Sequence, residues 1–340
     1  MMNMQNPDQY SPDQHPAVKT GKTGVLLVNL GTPDSPDKKA VKRYLKEFLS
    51  DKRVVEIPDM IWQPILRGII LNTRPKKSAH AYAQVWLDEG SPLAVYTRRQ
   101  AEALAGKYGD MVHVDWAMRY GNPSIISRLQ AMQDAGCDRI LVAPLYPQYS
   151  GATTASVHDA VFDAVKAMRW QPAIRILPPY HDDAAYIAAL KSSVEAALTT
   201  LDFEPDAIIA SFHGMPKRTL ELGDPYHCHC QKTTRLLSDA MGRELVISFQ
   251  SRFGPAKWLE PATDMMLEKL AQEGAKKVAI FAPGFSSDCL ETTEELGIRG
   301  KEIFEAAGGE HFALIPCLND SDVGMDLLDS LVRRELSGWI

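Results

Sequence analysis

Short apolar runs rich in β-branched residues alternate along the chain with longer stretches of helical periodicity. This pattern is typical of βαβ units, in which helices cover both faces of a parallel sheet and each strand reads as a continuous apolar run. It predicts two sets of four strands: Gly24–Asn29, Val112–Met118, Arg139–Pro144 and Ile174–Leu177, then Asp206–Phe212, Leu245–Gln250, Lys277–Ala282 and Phe312–Ile315. The predicted fold class is α/β, with two Rossmann-like doubly wound domains, each built on a four-stranded parallel sheet.

The two sets resemble each other where their strands end. The first strands run into VNLGTP (Val28–Pro33) and SFHGMP (Ser211–Pro216), and the second strands run into RYGNP (Arg119–Pro123) and RFGP (Arg252–Pro255). The third and fourth strands match at a constant offset of 139 residues, with APLYPQYSGATT against APGFSSDCLETT and ILPPYHDD against IPCLNDSD. Four matches in the same order indicate two similar halves related by pseudo-symmetry.

This repeat predicts the domain boundaries. The polar stretch 1–20 is expected to be a disordered tail, residues 21–178 the first domain and residues 179–321 the second. The first half carries about 50 extra residues, an insertion at about 51–100 that contains the apolar run Met60–Leu71. This run is too short to cross a bilayer. It is either a buried helix or strand, or a lid over an apolar ligand that can also touch a membrane surface.

Composition and charge narrow the class of protein. The 340 residues include 37 Lys and Arg against 43 Asp and Glu, a net charge of −6, which argues against nucleic acid as the main partner. With 45% hydrophobic and 24% charged residues, the composition is that of a soluble globular enzyme. No apolar run is long enough to span a membrane. The five cysteines, without a signal peptide, are expected to be reduced thiols in the cytoplasm.

Candidate chemistry falls in the second half. Ligands of open parallel sheets bind outside the carboxyl ends of the strands, where the repeated motifs lie. Aligning the halves sets His213 against Leu30 and Glu291 against Ala152, so only the second half has an ionisable pair. An imidazole can act as a base near pH 7 and as a metal ligand. The alternative is a histidine that only binds a nearby backbone carbonyl.

A row of acids follows the same motif. Glu291 and Glu295 are four residues apart and would lie on one helical face, with Glu294 and Asp288 nearby. Such crowding is unfavourable unless a cation or shared protons relieve the repulsion. The alternative is that these acids simply favour a helix N-terminus. With His213, the row indicates handling of a divalent cation, proton relay, or both.

Two further groups are weaker candidates. The run His227–Cys230 is dense in soft ligands, but no second Cys pair follows at zinc-site spacing, so a structural or adventitious metal site is a minor hypothesis. Arg119, Tyr120, Arg252 and Trp258 can hold carboxylates or stack on a planar ring, although ordinary packing explains each equally well. The chain has no GxGxxG after a strand and no Walker A loop, which removes the usual support for a nucleotide-dependent enzyme.

Taken together, the motifs resemble those of the ferrochelatase family, and most closely its protoporphyrin-using members from Gram-negative bacteria. The segments that carry the resemblance run in collinear order from about Gly24 to the C-terminus: NLGTP, FLSDKRVVEIP, GSPL, RYGNP, LYPQYS, SFHGMP, GDPY, FQSRFG, WLEP and PGFSSDCLET. The resemblance implies a lyase that inserts Fe²⁺ into protoporphyrin IX as the last step of haem biosynthesis and releases two protons, without nucleotide. It also implies a porphyrin cleft between the domains and a last helix, about 322–340, that packs back on the first domain.

The resemblance assigns roles to individual positions. His213 would contact the metal and accept pyrrole protons, with Glu291 as its acidic partner, and Glu294 and Glu295 would form a row that conducts metal or protons. The positions that match the porphyrin pocket are Leu30, Arg119, Tyr120 and Trp258. The Met60–Leu71 region matches the lip at the pocket mouth, so we expect a cytoplasmic protein with peripheral contact to the inner membrane.

The chain also departs from the family's pattern. Animal enzymes have a histidine where this chain has Cys289, so a second imidazole is missing and a thiol approaches the acid row. No cysteine follows Cys317, so no [2Fe–2S] cluster of the animal type is expected; a cluster on Cys228 and Cys230 is a minor alternative. Two further functions stay open: a chelatase for coproporphyrin or sirohydrochlorin, and a non-catalytic haem carrier with His213 as axial ligand. Retention of Glu291 argues against the carrier.

Overall fold

The computed structural model describes residues 15, 18–254 and 256–340, so most of the predicted tail 1–20 lies outside the described residues. Eight strands form two four-stranded parallel sheets, of order β2-β1-β3-β4 and β6-β5-β7-β8. Their bounds are β1 Lys22–Thr32, β2 Val112–Gly121, β3 Cys137–Pro144, β4 Ala173–Ile176, β5 Ala207–His213, β6 Val246–Gln250, β7 Lys277–Phe281 and β8 His311–Leu314. All eight predicted strands are confirmed, and the two sheets share one topology.

Helices cover both faces of each sheet. In the first half they are α1 Lys38–Phe48, α2 Asp59–Ile65, α3 Leu71–Val85, α4 Pro92–Tyr108, α5 Ile125–Asp134 and α6 Ser156–Ala167. The remaining helices are α7 Ala184–Thr199, α8 Lys217–Glu221, α9 Tyr226–Met241, α10 Thr263–Gln272, α11 Lys301–Ala306 and α12 Asp322–Leu336. Within the described residues, π-helices are inserted at Leu66–Ile70, Gly151–Ala155 and Glu291–Gly300. Central strands are buried on both faces, which is why they read as unbroken apolar runs.

Strand register confirms one part of the internal repeat and corrects another. His213 in β5 pairs with Gln250 in β6. Leu30 is the position equivalent to His213. The residues before and after Leu30 in β1 pair with the residues before and after Arg119 in β2, so Leu30 lies opposite Arg119. Arg119 is therefore the counterpart of Gln250. The predicted match of RYGNP to RFGP is wrong by two residues, because the second half inserts a longer loop after β6.

The same two strand ends make equivalent backbone bonds. The Met118 amide donates to the Pro123 carbonyl (2.7 Å), and the Phe249 amide donates to the Pro261 carbonyl (2.8 Å). The stretch between donor and acceptor is longer in the second half, and Arg252 lies within it. Arg252 therefore has no counterpart in the first half, and its guanidinium pairs with Asp264 at 2.6 Å.

The insertion after α1 is amphipathic. In the run Met60–Leu71, Trp62, Leu66 and Leu71 are buried, whereas 92% of Met60 is exposed, and Ile61, Ile65 and Ile69 also face solvent. The hypothesis of a wholly buried element is therefore wrong, because one face of the helix has no partner in the fold. The following helix, α3, packs against α1 and against the π-helix Glu291–Gly300 of the second half.

The C-terminal helix α12 packs against elements on both sides of the predicted domain boundary, so its assignment to the first domain stays a prediction. It contacts α4, α7 and β3. Lys107 Nζ lies 2.6 Å from Asp326 Oδ1, and Arg175 Nη1 donates to the Glu335 carbonyl at 2.6 Å. The boundary at residue 178 stays a prediction. In the part of the chain that the structure describes, no helix is both long and apolar enough to cross a membrane.

Candidate active site

A cleft opens where the carboxyl ends of the two central strands face each other. The cavity at its base has a volume of about 80 Å³. The first half contributes the end of β1, α1, α3 and the start of α4, and the second half contributes the end of β5 and the segment after β7. The residues that line it include Leu30, Tyr44, Tyr82, His213, Cys289 and Glu291. His213 and Glu291, predicted from the asymmetry of the halves, thus line one cavity.

His213 is the last residue of β5, and its ring orientation is set by its own turn. Nδ1 lies 2.7 Å from the carbonyl oxygen of Gly214. Because a carbonyl oxygen only accepts, Nδ1 carries the hydrogen and Nε2 keeps a free lone pair. The Tyr226 hydroxyl donates to the His213 carbonyl at 3.0 Å and holds the strand end in place. The backbone bond foreseen as an alternative to catalysis therefore exists, and it selects the tautomer that a base needs.

Glu291 is the first residue of the π-helix Glu291–Gly300, and a glutamine positions its backbone. Gln250 Nε2 donates to the Glu291 carbonyl at 2.9 Å, while Gln250 Oε1 accepts from Ser211 Oγ at 2.9 Å. The Gly214 amide also donates to the Gln250 carbonyl at 2.7 Å. Gln250 thus connects β5, β6 and the π-helix. Sequence reasoning missed this residue, because its position opposite His213 follows only from the pairing of β5 with β6.

The neighbours of Glu291 stay neutral. Burial raises the pKa of the Cys289 thiol well above its usual range, and the nearby Glu291 carboxylate raises it further. Burial likewise raises the pKa of Tyr82 and of Tyr44, and Glu291 contributes to both shifts. These side chains therefore keep their protons at neutral pH. Glu291 therefore lies among uncharged side chains on this wall of the cleft.

The rest of the acid row is paired. Glu294 Oε2 lies 3.0 Å from Arg299 Nη2, and Glu295 Oε2 lies 3.8 Å from the same nitrogen. The Ser251 amide and hydroxyl also donate to the Glu295 carboxylate, at 2.8 and 2.6 Å. The repulsion expected from the sequence is therefore relieved within the protein. Among the described residues, Glu291 has no such ion pair, which sets it apart from the other two acids.

The four predicted porphyrin contacts lie in different places. Leu30 lines the cleft. Arg119 and Tyr120 instead form a network with Asp51: Arg119 Nη2 and the Tyr120 hydroxyl approach Asp51 Oδ2 at 2.6 and 2.7 Å. Trp258 lines a separate groove beside α10 and donates through Nε1 to the Phe253 carbonyl at 2.9 Å. The structure brings only Leu30 together with His213 and Glu291, and the porphyrin roles of the other three stay predictions.

The run His227–Cys230 spreads its side chains along α9. The His229 ring stacks on His181 with centroids 3.5 Å apart, and the His227 ring stacks on Phe249 at 5.7 Å. Cys228 is exposed and Cys230 is buried. Over residues 18–254 and 256–340 no group of three or more His, Cys, Asp or Glu side chains is arranged to hold a metal ion. The structure therefore gives no support to a metal site here.

The chain is similar to ferrochelatases along most of its length. A family model described as ferrochelatase matches residues 22–336. A ferrochelatase of Allorhizobium ampelinum is 56% identical over 338 residues, covering 97% of this chain and 98% of that protein. One of Rhizobium meliloti (strain 1021) is 57% identical over 335 residues, covering 96% and 98%.

Solved structures with the same fold are more distant. SirB from Bacillus subtilis with Fe³⁺ has a TM-score of 0.57 at 12% identity, with 94% of this chain and 97% of that chain covered. The sirohydrochlorin chelatase SirB from Bacillus subtilis subspecies spizizenii, in complex with cobalt, has a TM-score of 0.54 at 11% identity, covering 93% and 95%. At these identities the likeness shows the fold alone. The family match and the relatives show that this chain belongs to the ferrochelatase family.

Proposed function

We infer that the chain inserts Fe²⁺ into protoporphyrin IX and releases two protons to form protohaem. The observation that carries this proposal is the shared cavity of His213 and Glu291, with one free imidazole nitrogen and one carboxylate without an ion pair among the described residues. The remaining walls are largely apolar or neutral, as a flat apolar macrocycle requires. Membership of the ferrochelatase family supports the same reaction.

His213 acts as the proton acceptor. Metal insertion requires both pyrrole N–H groups to lose their protons, while the metal ion loses water and binds the ring nitrogens. The hydrogen bond from Nδ1 to the Gly214 carbonyl leaves Nε2 to accept a pyrrole proton and favours the imidazolium that results. The imidazole can also contact the incoming metal ion, since neutral imidazole is a ligand for Fe²⁺.

Glu291 balances charge beside His213 and passes the proton on. A carboxylate in a neutral wall stabilises the imidazolium and the incoming cation more strongly than one in water. Glu294 and Glu295 follow on the same π-helix and continue the path for protons or metal toward the surface. Gln250 is a positioning residue, because it holds the backbone at Glu291 against the end of β5.

Leu30 lines the cleft and would contact the bound porphyrin ring. We propose that Arg119, Tyr120 and Trp258 contact the macrocycle when the cleft opens further. The Arg119 guanidinium already pairs with Asp51, so a contact with a propionate would compete with that ion pair. Burying the ring edges far from the nitrogens would supply the binding energy that sustains a bent macrocycle.

The test is anaerobic mixing of purified protein with protoporphyrin IX and Fe²⁺, following the loss of porphyrin fluorescence. Catalytic loss in the wild type and not in His213→Ala supports the proposal. Stoichiometric binding without turnover overturns it and favours a carrier, whereas turnover of coproporphyrin alone would point to a more polar substrate. The expectation that the chain carries no [2Fe–2S] cluster is checked by the visible spectrum of the same preparation.

We propose in addition that the protein is cytoplasmic and that its lip contacts a membrane surface. The support is the unpartnered apolar face of Met60, Ile61, Ile65 and Ile69. Sedimentation with anionic lipid vesicles tests this: Met60→Asp should lower the bound fraction. The control is Met111→Asp, at a methionine that is 65% exposed outside this face. Equal loss in both variants would contradict a specific contact through the lip.

A further inference from the structure

The π-helix Glu291–Gly300 connects two cavities. Its first residue, Glu291, lines the cleft that holds His213. Further along, Glu295 and Arg299 line a separate groove formed with α10 and with the residues that follow β6. The acid row therefore has an inner end at the cleft of His213 and an outer end at this second groove.

Arg299 stands at the outer end, between the acids and solvent. Its Nη2 lies 3.0 Å from Glu294 Oε2 and 3.8 Å from Glu295 Oε2, and its Nε donates to Glu294 at 3.1 Å. The Arg299 side chain is 48% exposed, whereas Glu294 and Glu295 keep only 12% and 22% of theirs exposed. A cation that approaches these carboxylates from the groove meets the guanidinium first.

The groove itself adds to this barrier. Glu295 is further occupied by the Ser251 amide and hydroxyl. The other charged side chains that line the groove are Lys217, Arg252, Lys257, Glu260, Asp264 and Lys269. Cations outnumber carboxylates in this set, and Asp264 is paired with Arg252 at 2.6 Å. The local charge therefore opposes entry of a divalent cation.

We propose that Arg299 closes the outer end of the acid row to divalent cations while protons still leave through it. This inference rests on the proposed function and deepens it, since it separates the two species that the acid row was expected to conduct. A proton needs only an acceptor atom at each step, so it can pass along the carboxylates to solvent water without displacing Arg299. A divalent metal ion would have to displace the guanidinium or lie beside it, where like charges repel. Ferrous iron then reaches His213 through the cleft, and the two pyrrole protons leave by the other side.

The test measures binding of Mn²⁺ to the porphyrin-free protein by electron paramagnetic resonance, because Mn²⁺ prefers carboxylate ligands. The variants are Arg299→Gln, which removes the charge, and Arg299→Lys, which keeps it. The matched control is Lys301→Gln, which removes one charge from an exposed pair with Glu305 at 3.7 Å. We expect Arg299→Gln alone to gain Mn²⁺ binding, tighter than wild type by about tenfold or more. Adding Glu295→Gln should abolish that gain.

Two results would overturn the inference. One is Mn²⁺ binding by the wild type that Glu295→Gln removes, because the row would then be open to cations already. The other is equal Mn²⁺ binding by Arg299→Gln and Lys301→Gln. A half-exposed ion pair contributes little to stability, and Arg299→Met provides a second neutral variant. The Mn²⁺ assay contains no porphyrin. A failure of porphyrin turnover would therefore contradict the proposed function without changing the Mn²⁺ result.

Discussion

The two halves of the molecule have the same sheet topology but different residues at the ends of their central strands. β1 reaches Leu30 where β5 reaches His213, and the short π-helix Gly151–Ala155 places Ala152 where the longer one places Glu291. Both halves build one wall of the same cleft. The scaffold thus provides two equivalent positions for side chains, and the identity of those side chains decides that only one wall presents a histidine and a carboxylate.

A second pair of equivalent positions shows the same division. Arg119 pairs with Asp51 and donates a hydrogen bond to Ser156. These contacts connect β2 to the insertion and to α6. Its counterpart Gln250 bonds Ser211 and the Glu291 backbone, which fastens the π-helix to the end of β5. The Arg119–Asp51 ion pair thus connects elements of the first half. The neutral hydrogen bonds of Gln250 connect the elements that carry His213 and Glu291 in the second half.

The largest effect is expected from His213→Ala. Loss of the proton acceptor should lower kcat for metal insertion about a thousandfold, while porphyrin binding measured by fluorescence changes little. Leu30→Ala, at the equivalent position, should weaken porphyrin binding and leave kcat within a few-fold. An equal loss of kcat in both variants would contradict different roles for His213 and Leu30.

A smaller loss is expected from Glu291→Gln. This variant keeps the shape of the side chain and removes its charge, so kcat should fall about a hundredfold with little change in porphyrin affinity. Stopped-flow insertion of Zn²⁺ separates the two parameters. Placing a carboxylate at the equivalent position, with Ala152→Glu in the Glu291→Gln background, should not restore the rate. Recovery would show that either half can supply the acid.

The two counterpart residues should differ in their effect on stability. Arg119→Ala leaves Asp51 without its cation in a site where both side chains are less than one-fifth exposed. We expect the free energy of unfolding to fall by about 2 kcal/mol, less than for a fully buried pair. Gln250→Ala removes neutral hydrogen bonds and should cost about 1 kcal/mol. Urea unfolding measures both, and the reverse order would contradict the division of roles.

The smallest effect is a pH dependence of the first half. Burial opposes ionisation of Asp51, but hydrogen bonds from Ser156, the Arg53 amide and Tyr120, together with the Arg119 charge, lower its pKa below the usual value. The ionised Asp51 side chain therefore stabilises the fold fully above about pH 4, near its pKa in the unfolded chain. This stabilisation is lost as the pH falls through the lower pKa of Asp51 in the folded protein. The difference in unfolding free energy between wild type and Asp51→Asn should stay constant above about pH 5 and shrink as the pH falls below about 4. A constant difference would show that the charge is not involved.

The sequence by itself determined the strands and singled out the pair His213 and Glu291. Buried parallel strands are apolar on both faces, so their runs are legible without tertiary information. The internal repeat then set His213 and Glu291 against apolar counterparts, and both line the cleft. These inferences succeeded because they depend on local pattern and on comparison of one half of the chain with the other.

Tertiary structure alone decided the partners of those residues. The register that makes Gln250 the counterpart of Arg119 depends on pairing between strands far apart in sequence, and the RFGP motif misled because it lies in a longer loop. Likewise, only packing shows that Met60 is exposed while Trp62 is buried, and that Arg299 stands between the acid row and solvent. Ion pairs and solvent exposure depend on how distant segments meet, and no local pattern encodes that.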